Sequence, residues 1–204
     1  MTCSAKGYSL TRAKSSLWLD YLNKADEVLK KIETMTKEKF LPIIGPDKGQ
    51  VLIKVIHETK PKRILEIGTF IGYSVILMAK ELDADARITT IEIHAGEAKT
   101  ARENIAKADV HPKIDVMVGD AIKVISKLTG KFDMVFIDAA KEEYFDYLKL
   151  IEKKLHKGSV VVADNAGISA DQMKEYLEYV RSSGKYASKY MPFGEDGVEI
   201  SVRL

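Results

Sequence analysis

Arg63-Ile-Leu-Glu-Ile-Gly-Thr-Phe-Ile-Gly-Tyr-Ser74 is the stretch that decides the fold. Its opening alternates and then runs apolar to Ile67, as a buried parallel strand does. The run passes Glu66, turns at Gly68, and restarts as a helix from Gly72 through Tyr73 and Ser74 into Val-Ile-Leu-Met-Ala. A strand feeding a helix through a glycine-bearing turn is where doubly wound α/β folds hold a nucleotide-like cofactor. Glycine lets the backbone approach the ligand closely, and the helix start offers free N–H groups. Glu92 closes the next strand candidate, Arg87-Ile-Thr-Thr-Ile-Glu92, twenty residues after Gly72. That spacing suits a carboxylate accepting both hydroxyls of a ribose.

Working outward, strand and helix signals alternate. Strands are expected at 63–67, 87–92, 113–118, 132–138 and 158–163, and helices at 72–83, 95–108, 120–128, 141–155 and 170–182. Such alternation implies right-handed crossovers and a mostly parallel sheet. The C-terminal residues change character: 186–191 and 198–204 read as two strands of an antiparallel hairpin at the sheet's edge. Upstream, residues 10–58 carry no strand signal. Leu17–Leu22 and Ala25–Phe40 have helical spacing, Leu41–Pro46 breaks it, and Asp47 is placed to cap a further helix through Val51, Leu52, Val55 and Ile56. The expectation is one domain, 1–204, in which a helical cap at 1–58 roofs an α/β core at 59–204.

Acidic and basic residues nearly balance, 30 against 32, for a net charge of +2. That is not the electrostatic footprint of an obligate nucleic-acid binder. Lys60–Arg63 and Lys153–Lys157 are local basic clusters at helix ends, where they suit the helix dipole. A single cysteine, Cys3, rules out an internal disulfide and fits an exposed thiol in a reducing compartment. With no apolar run of membrane-spanning length and no signal-peptide pattern, a cytoplasmic protein without membrane association is expected.

Chemistry concentrates at strand ends. Asp138 ends one strand, and Asp164 with Asn165 ends the next. Two carboxylates and an amide form an all-oxygen donor set that suits a hard cation such as Mg²⁺. Each aspartate alone reads as well as a helix cap; the pair beside Asn165 favours the metal. Lys141, three residues after Asp138, stands at a helix start, where the dipole disfavours a cation, and beside a metal site it suits a general base. Asp120, followed by Ala121, reads equally as a helix N-cap or as a group facing the cofactor's base. His57, His94, His111 and His156 lack ligand spacing and read as structural or exposed. Trp18, Phe40, Tyr73, Tyr144 and Tyr190 are candidates for an aromatic pocket, though packing is the default for all but Tyr73.

Together these residues resemble a known family, the S-adenosylmethionine-dependent, metal-dependent O-methyltransferases of the catechol and caffeoyl-CoA type. Gly45-Pro-Asp-Lys-Gly-Gln50 is similar to the segment before the family's cofactor motif, and Leu65–Ser74 to the cofactor loop itself. Ile137-Asp-Ala-Ala-Lys-Glu-Glu-Tyr144 and Val162-Ala-Asp-Asn165 resemble its metal and base motifs, and Asp196-Gly-Val198 the turn before its last strand. The resemblance implies a doubly wound α/β sheet of seven mostly parallel strands, the class I methyltransferase fold, with an antiparallel C-terminal hairpin. It implies that Glu66, Gly68 and Ser74 hold the methionine part of S-adenosylmethionine and Glu92 the ribose hydroxyls, with Ile44 and Tyr73 packed around the cofactor. Gly72, Asp120, Ala121 and Asp138 complete the expected cofactor contacts. Asp138, Asp164 and Asn165 would ligate Mg²⁺, and Lys141 would take the substrate proton.

Three positions depart from the catechol enzymes. Ala140 stands where they carry a tryptophan, Phe40 where they carry a tryptophan gatekeeper, and Tyr190 where they carry a substrate-binding glutamate. The long insertion of the caffeoyl-CoA enzymes is absent as well. The expected reaction is methylation of a hydroxyl on a small hydroxylated aromatic, a vicinal diol of catechol type. Its rivals are O-methylation of a modified uridine in tRNA, an NAD(P)-dependent oxidoreductase, and a cofactor-binding protein without catalysis. The oxidoreductase is disfavoured because the loop reads Gly68-x-x-x-Gly72 rather than Gly-x-Gly-x-x-Gly. Residues 10–40 offer an apolar face that suits either a homodimer interface or a cover for the sheet.

Overall fold

The computed structural model describes the backbone of residues 9–204 and the side chains of residues 24–204; Cys3 and the Trp18 side chain lie outside what is described. Two helices come first, α1 (Ser9–Glu38) and α2 (Gly45–Thr59). The chain then runs β1 (Arg63–Ile67), α3 (Tyr73–Ala79), β2 (Arg87–Glu92), α4 (Ala95–Ala108), β3 (Lys113–Val118), α5 (Ala121–Lys127) and β4 (Phe132–Ile137). A 3₁₀ turn at Lys141–Glu143 leads into α6 (Tyr144–Glu152), followed by β5 (Leu155–Ala163), α7 (Lys174–Ser182), β6 (Tyr186–Phe193) and β7 (Asp196–Arg203).

The strands form one seven-stranded sheet in the order β3-β2-β1-β4-β5-β7-β6. β1 to β5 are parallel, and β7 enters antiparallel between β5 and β6. Chain direction across the sheet reverses between β1 and β4, so the crevice at their carboxyl ends is the topological switch point.

Side-chain alternation assigns each strand residue to one of two cores. Ile64, Met134, Phe136, Val160 and Val162 face α1, α2 and α3. Leu65, Ile67, Val135, Ile137 and Val161 face α5, α6 and α7. β1 is buried from Ile64 to Ile67, which explains its continuous apolar run. Each fully buried aliphatic residue there contributes about 1.5–3 kcal/mol over exposure.

Several boundaries differ from the sequence reading. Leu17–Leu22 and Ala25–Phe40 belong to one helix that stops at Glu38. Asp47 does not cap α2: Ile44 holds that position with no side-chain cap, Pro46 occupies the first turn, and Asp47 lies inside it. The helix expected at 72–83 stops at Ala79, and the one at 141–155 begins as the 3₁₀ turn and ends at Glu152. β5 begins at Leu155, before Gly158 (φ 89°), because a register irregularity between Phe132 and Met134 lets β4 pair on both sides of it.

The helix expected from 170 begins at Lys174, because residues 165–173 are tied down as turns against the C-terminal hairpin. Ala166 N–H donates to Gly197 O at 2.9 Å, and Ile168 N–H to Asp196 Oδ1 at 3.2 Å. The hairpin itself is tighter than expected, with only Gly194 and Glu195 between its paired ends Phe193 and Asp196.

Candidate active site

Backbone bonds align the strand ends. Asp138 N–H donates to Ile67 O at 2.8 Å, Asp164 N–H to Ile137 O at 3.0 Å, and Gly68 N–H to Ile91 O at 3.0 Å. Above them opens a cavity of about 920 Å³, within the range of small-molecule sites. Among the expected residues, Ile44, Gly68, Tyr73, Ser74, Glu92, Asp120, Ala121, Asp138, Lys141, Asp164 and Asn165 all line it. Residues 40–44 and Lys48 form the wall on the side of the N-terminal helices.

Glu66 and Gly72 lie behind that lining. Gly72 caps α3 at φ 90°, and a Cβ there would stand 3.3 Å from Ala101 Cα, so this glycine serves the packing of α3 on α4. Glu66 is fully buried. Its Oε2 accepts the Thr90 hydroxyl, while Oε1 has no hydrogen-bond partner among the described residues. Burial pushes its carboxyl up to about 8, against the pull of the Thr90 hydroxyl.

Glu92 is buried at the end of β2 with both oxygens engaged. Oε2 accepts Phe70 N–H at 2.7 Å and Oε1 accepts His94 N–H at 2.9 Å. The first bond steadies Phe70 in a left-handed conformation, φ 49°, within the loop after β1. Asp120 satisfies both readings of the sequence: it caps α5 by accepting Ile122 N–H at 2.9 Å, and it faces the cavity. Tyr73 donates its hydroxyl to Glu33 on α1 at 2.6 Å, joining the cap to the cavity wall. Burial and the Glu33 carboxylate raise the Tyr73 phenol above the usual tyrosine range.

Two lysines meet the aspartates. Lys141 Nζ donates to Asp138 Oδ1 at 2.8 Å and to Tyr144 Oη at 2.9 Å, and the Tyr144 hydroxyl donates in turn to Ile137 O at 3.1 Å. Lys48 Nζ lies 2.7 and 2.9 Å from the two oxygens of Asp164 and 2.7 Å from Asp196 Oδ2. Burial, then the Asp138 carboxylate, raise Asp164 to about 6 against the opposing pull of Lys48. Burial also acts to raise Asp196, but Lys48, Gly197 N–H and Asn165 outweigh it and hold the carboxyl down to about 2. Asn165 adopts φ 60° and donates Nδ2–H to Asp196 Oδ2 at 2.8 Å, and its Oδ1 accepts no hydrogen bond among the described residues.

Sequence reasoning gave no site role to Lys48 or His94, and read Tyr144 as a packing residue or a pocket aromatic. Lys48 sat in plain view within Gly45–Gln50, but only folding carries it 116 residues along the chain to Asp164. Tyr144 is a fully buried residue rather than a pocket wall, and its hydroxyl anchors Lys141. His94 lines the cavity. Its side chain, with those of Glu92 and Glu97, brings ligand-type atoms within 4.8 Å of one another, but the Glu92 oxygens already accept two backbone N–H groups. Tyr190 is outside the cavity lining and donates to Asp196 O at 2.9 Å, whereas Phe40 is part of the lining.

The arrangement fits both a cationic, ribose-bearing cofactor and a divalent metal. A buried carboxyl, one oxygen of which has no partner among the described residues, lies behind the glycine loop, and a carboxylate waits at the end of β2. Asp138, Asp164 and Asn165 supply oxygen donors at adjoining strand ends, and Asp164 already holds a cation, the Lys48 ammonium.

Comparison with known proteins bears on the family of the chain. A sequence model described as O-methyltransferase matches residues 20–179. The chain is 36% identical over 174 residues to catechol O-methyltransferase B of Danio rerio, covering 79% of this chain and 65% of that protein's length. It is 33% identical over 172 residues to catechol O-methyltransferase of Sus scrofa, covering 78% of this chain and 91% of that one. Among solved structures, the O-methyltransferase TomG from Streptomyces achromogenes, in complex with SAM, superimposes with a TM-score of 0.78 at 29% identity, covering 87% of this chain and 89% of that one. With the family's fold, its matching segments and a cavity at the switch point all present, the chain belongs to the O-methyltransferase family.

Proposed function

We propose that this protein transfers a methyl group from S-adenosylmethionine to a hydroxyl of a small vicinal-diol aromatic, as a single domain in which 1–58 roofs the core at 59–204. The observation that carries this reading is the adjacency of Lys141 Nζ, 2.8 Å from Asp138, to the Asp164 and Asn165 donors on the wall of the same cavity. On this reading a base would stand beside an all-oxygen metal set.

Residues of the first β-α turn would receive the methyl donor. Gly68 gives it close backbone approach, Ser74 and Glu66 would serve its methionine end, and Glu92 would accept its ribose hydroxyls. Ile44 and Tyr73 would pack against it, and Asp120 and Ala121 border the base side. Asp138, Asp164 and Asn165 would hold Mg²⁺, which when bound supplies a Lewis acid that acidifies a coordinated hydroxyl. Lys141, once its own proton has passed to solvent, would take the hydroxyl proton at Nζ. The oxygen lone pair then forms the bond to the methyl carbon as the carbon–sulfur bond breaks, and that electron pair stays on sulfur. Alignment of the three atoms and exclusion of water supply the rest of the rate.

The cavity mouth suits a flat apolar acceptor. Phe40, Ile93 and Ile168 are 89%, 62% and 69% exposed, and all three line the cavity. Large apolar side chains held open to solvent around a polar centre mark a binding surface. The test is methyl transfer from S-adenosylmethionine to a panel of catechols and to unmodified and modified tRNA, each with Mg²⁺ and with a chelator. Metal-dependent methylation of a catechol is the expected result. Transfer to tRNA alone would move the acceptor to nucleic acid, and no transfer to any hydroxyl would overturn the reading.

A further inference from the structure

The ammonium of Lys48 occupies an unusual position. It reaches from the first turn of α2 across to the end of β5 and meets both oxygens of Asp164, at 2.7 and 2.9 Å, together with Asp196 Oδ2 at 2.7 Å. Its side chain is only 15% exposed, and those of its two partners are 2% and 18% exposed. Contact with both oxygens puts the ammonium directly in front of the carboxylate, where a cation ligated by Asp164 also belongs.

An exposed pair of this kind would carry little weight. Here the carboxylate is buried, so an unpaired charge would be strongly unfavourable and a cation beside it is stabilising. The Asp138 carboxylate, held by Lys141 on the neighbouring strand end, adds like-charge repulsion that the two lysines offset. Mg²⁺ binds carboxylate oxygen at about 2.0–2.1 Å and carries twice the charge. It cannot share that face of Asp164 with an ammonium at 2.7 Å without strong repulsion.

We infer that Lys48 is a resident counter-ion of the metal site: it holds Asp164 while the site is metal-free and must release it when a divalent cation binds. Asp196 gives the displaced ammonium somewhere to stay, because its second contact persists when the first is lost. The same Asp196 Oδ2 accepts Asn165 Nδ2–H at 2.8 Å, so it keeps the amide oxygen available in both states. Lys48 therefore lowers metal affinity and preserves the site's geometry between loadings. This inference rests on the metal set proposed above.

The alternative is that Lys48 only positions Asp164, and the two roles predict opposite signs. Removing a group that merely orients a ligand weakens metal binding, typically 10–100-fold. Removing a competing charge tightens it. The experiment is calorimetric titration of the full chain with MgCl₂ and MnCl₂, for the native protein and Lys48→Gln, with the melting temperature recorded with and without metal. The expected result is metal binding about tenfold tighter in K48Q, a lower melting temperature for metal-free K48Q, and a larger metal-induced rise. Equal or weaker metal binding by K48Q, with the native protein binding normally, would overturn the inference and leave the metal site standing. No binding by either protein would overturn the metal site itself, and the inference with it.

Should K48Q fail to fold, the native protein decides. Amine-selective acetylation read by peptide mass spectrometry should label Lys48 several-fold faster when Mg²⁺ is added, with Lys54 on the exposed side of the same helix unchanged. Labelling of Lys48 that is unaffected by Mg²⁺ would overturn the inference.

Discussion

Gly68 lies so close to Asp138 that a Cβ on the glycine would stand 2.0 Å from the Asp138 carbonyl oxygen. The loop that would receive the methyl donor and the strand end that would hold metal are thus in backbone contact, so neither can shift alone. Gly68 also adopts φ 96°, which side-chain-bearing residues rarely tolerate. Gly68→Ala should therefore destabilise the fold by about 3 kcal/mol or more, combining strain with a clash that no rotamer relieves. Urea denaturation checks this, and an unchanged midpoint would contradict it.

Lys141→Ala should lower kcat by roughly 10²–10⁴-fold, the usual contribution of a general base. Its effect on S-adenosylmethionine affinity, measured by calorimetry, should stay within about threefold, because Lys141 bonds Asp138 and Tyr144 rather than the first β-α turn. Full turnover at neutral pH would remove Lys141 from the mechanism.

Glu92 accepts two backbone N–H groups and would also take the ribose hydroxyls. Glu92→Gln removes the charge from these bonds, each worth about 1.5–3 kcal/mol when a charged group takes part. The cofactor dissociation constant should rise about 10–100-fold, with thermal stability falling less, since the neutral amide oxygen can still accept one N–H. Equilibrium binding decides the matter, and unchanged affinity would sink the ribose assignment.

Glu66 carries a pH signature. Its carboxyl is raised from 4.5 to about 8 in the folded cofactor-free protein, so the fold keeps a proton that the unfolded chain has lost. Its contribution to stability is fully present below about pH 4.5 and disappears as pH rises through about 8. The melting temperature of the native protein should fall across that window, and Glu66→Gln, which stays neutral throughout, should show a flatter profile. Parallel profiles would contradict the assignment.

Much of this was legible in the sequence because the decisive signals are local. The apolar run of β1 and the positions of β2 and β3 follow from periodicity within short windows. Strand ends could be located, and with them Asp138, Asp164 and Asn165, because sheets of this type place ligands there. The partners of those residues were not legible. Lys48 reaches Asp164 only through tertiary packing, and the turns at 165–173 form because Asp196 and Gly197 hold the chain, which a helical pattern from 170 does not reveal. Glu66 and Gly72 belong to the quoted stretch yet stand behind the cavity wall, since a motif names residues without saying which way they face.

Transfer of an isotopically labelled methyl group from S-adenosylmethionine to catechol, with Mg²⁺ and again with a chelator in excess, tests the central claim most directly. The account predicts a labelled mono-O-methyl product that forms with Mg²⁺ and falls to background with the chelator. Label transfer that the chelator leaves unchanged would contradict the metal's role, and an unlabelled catechol under every condition would contradict the acceptor class.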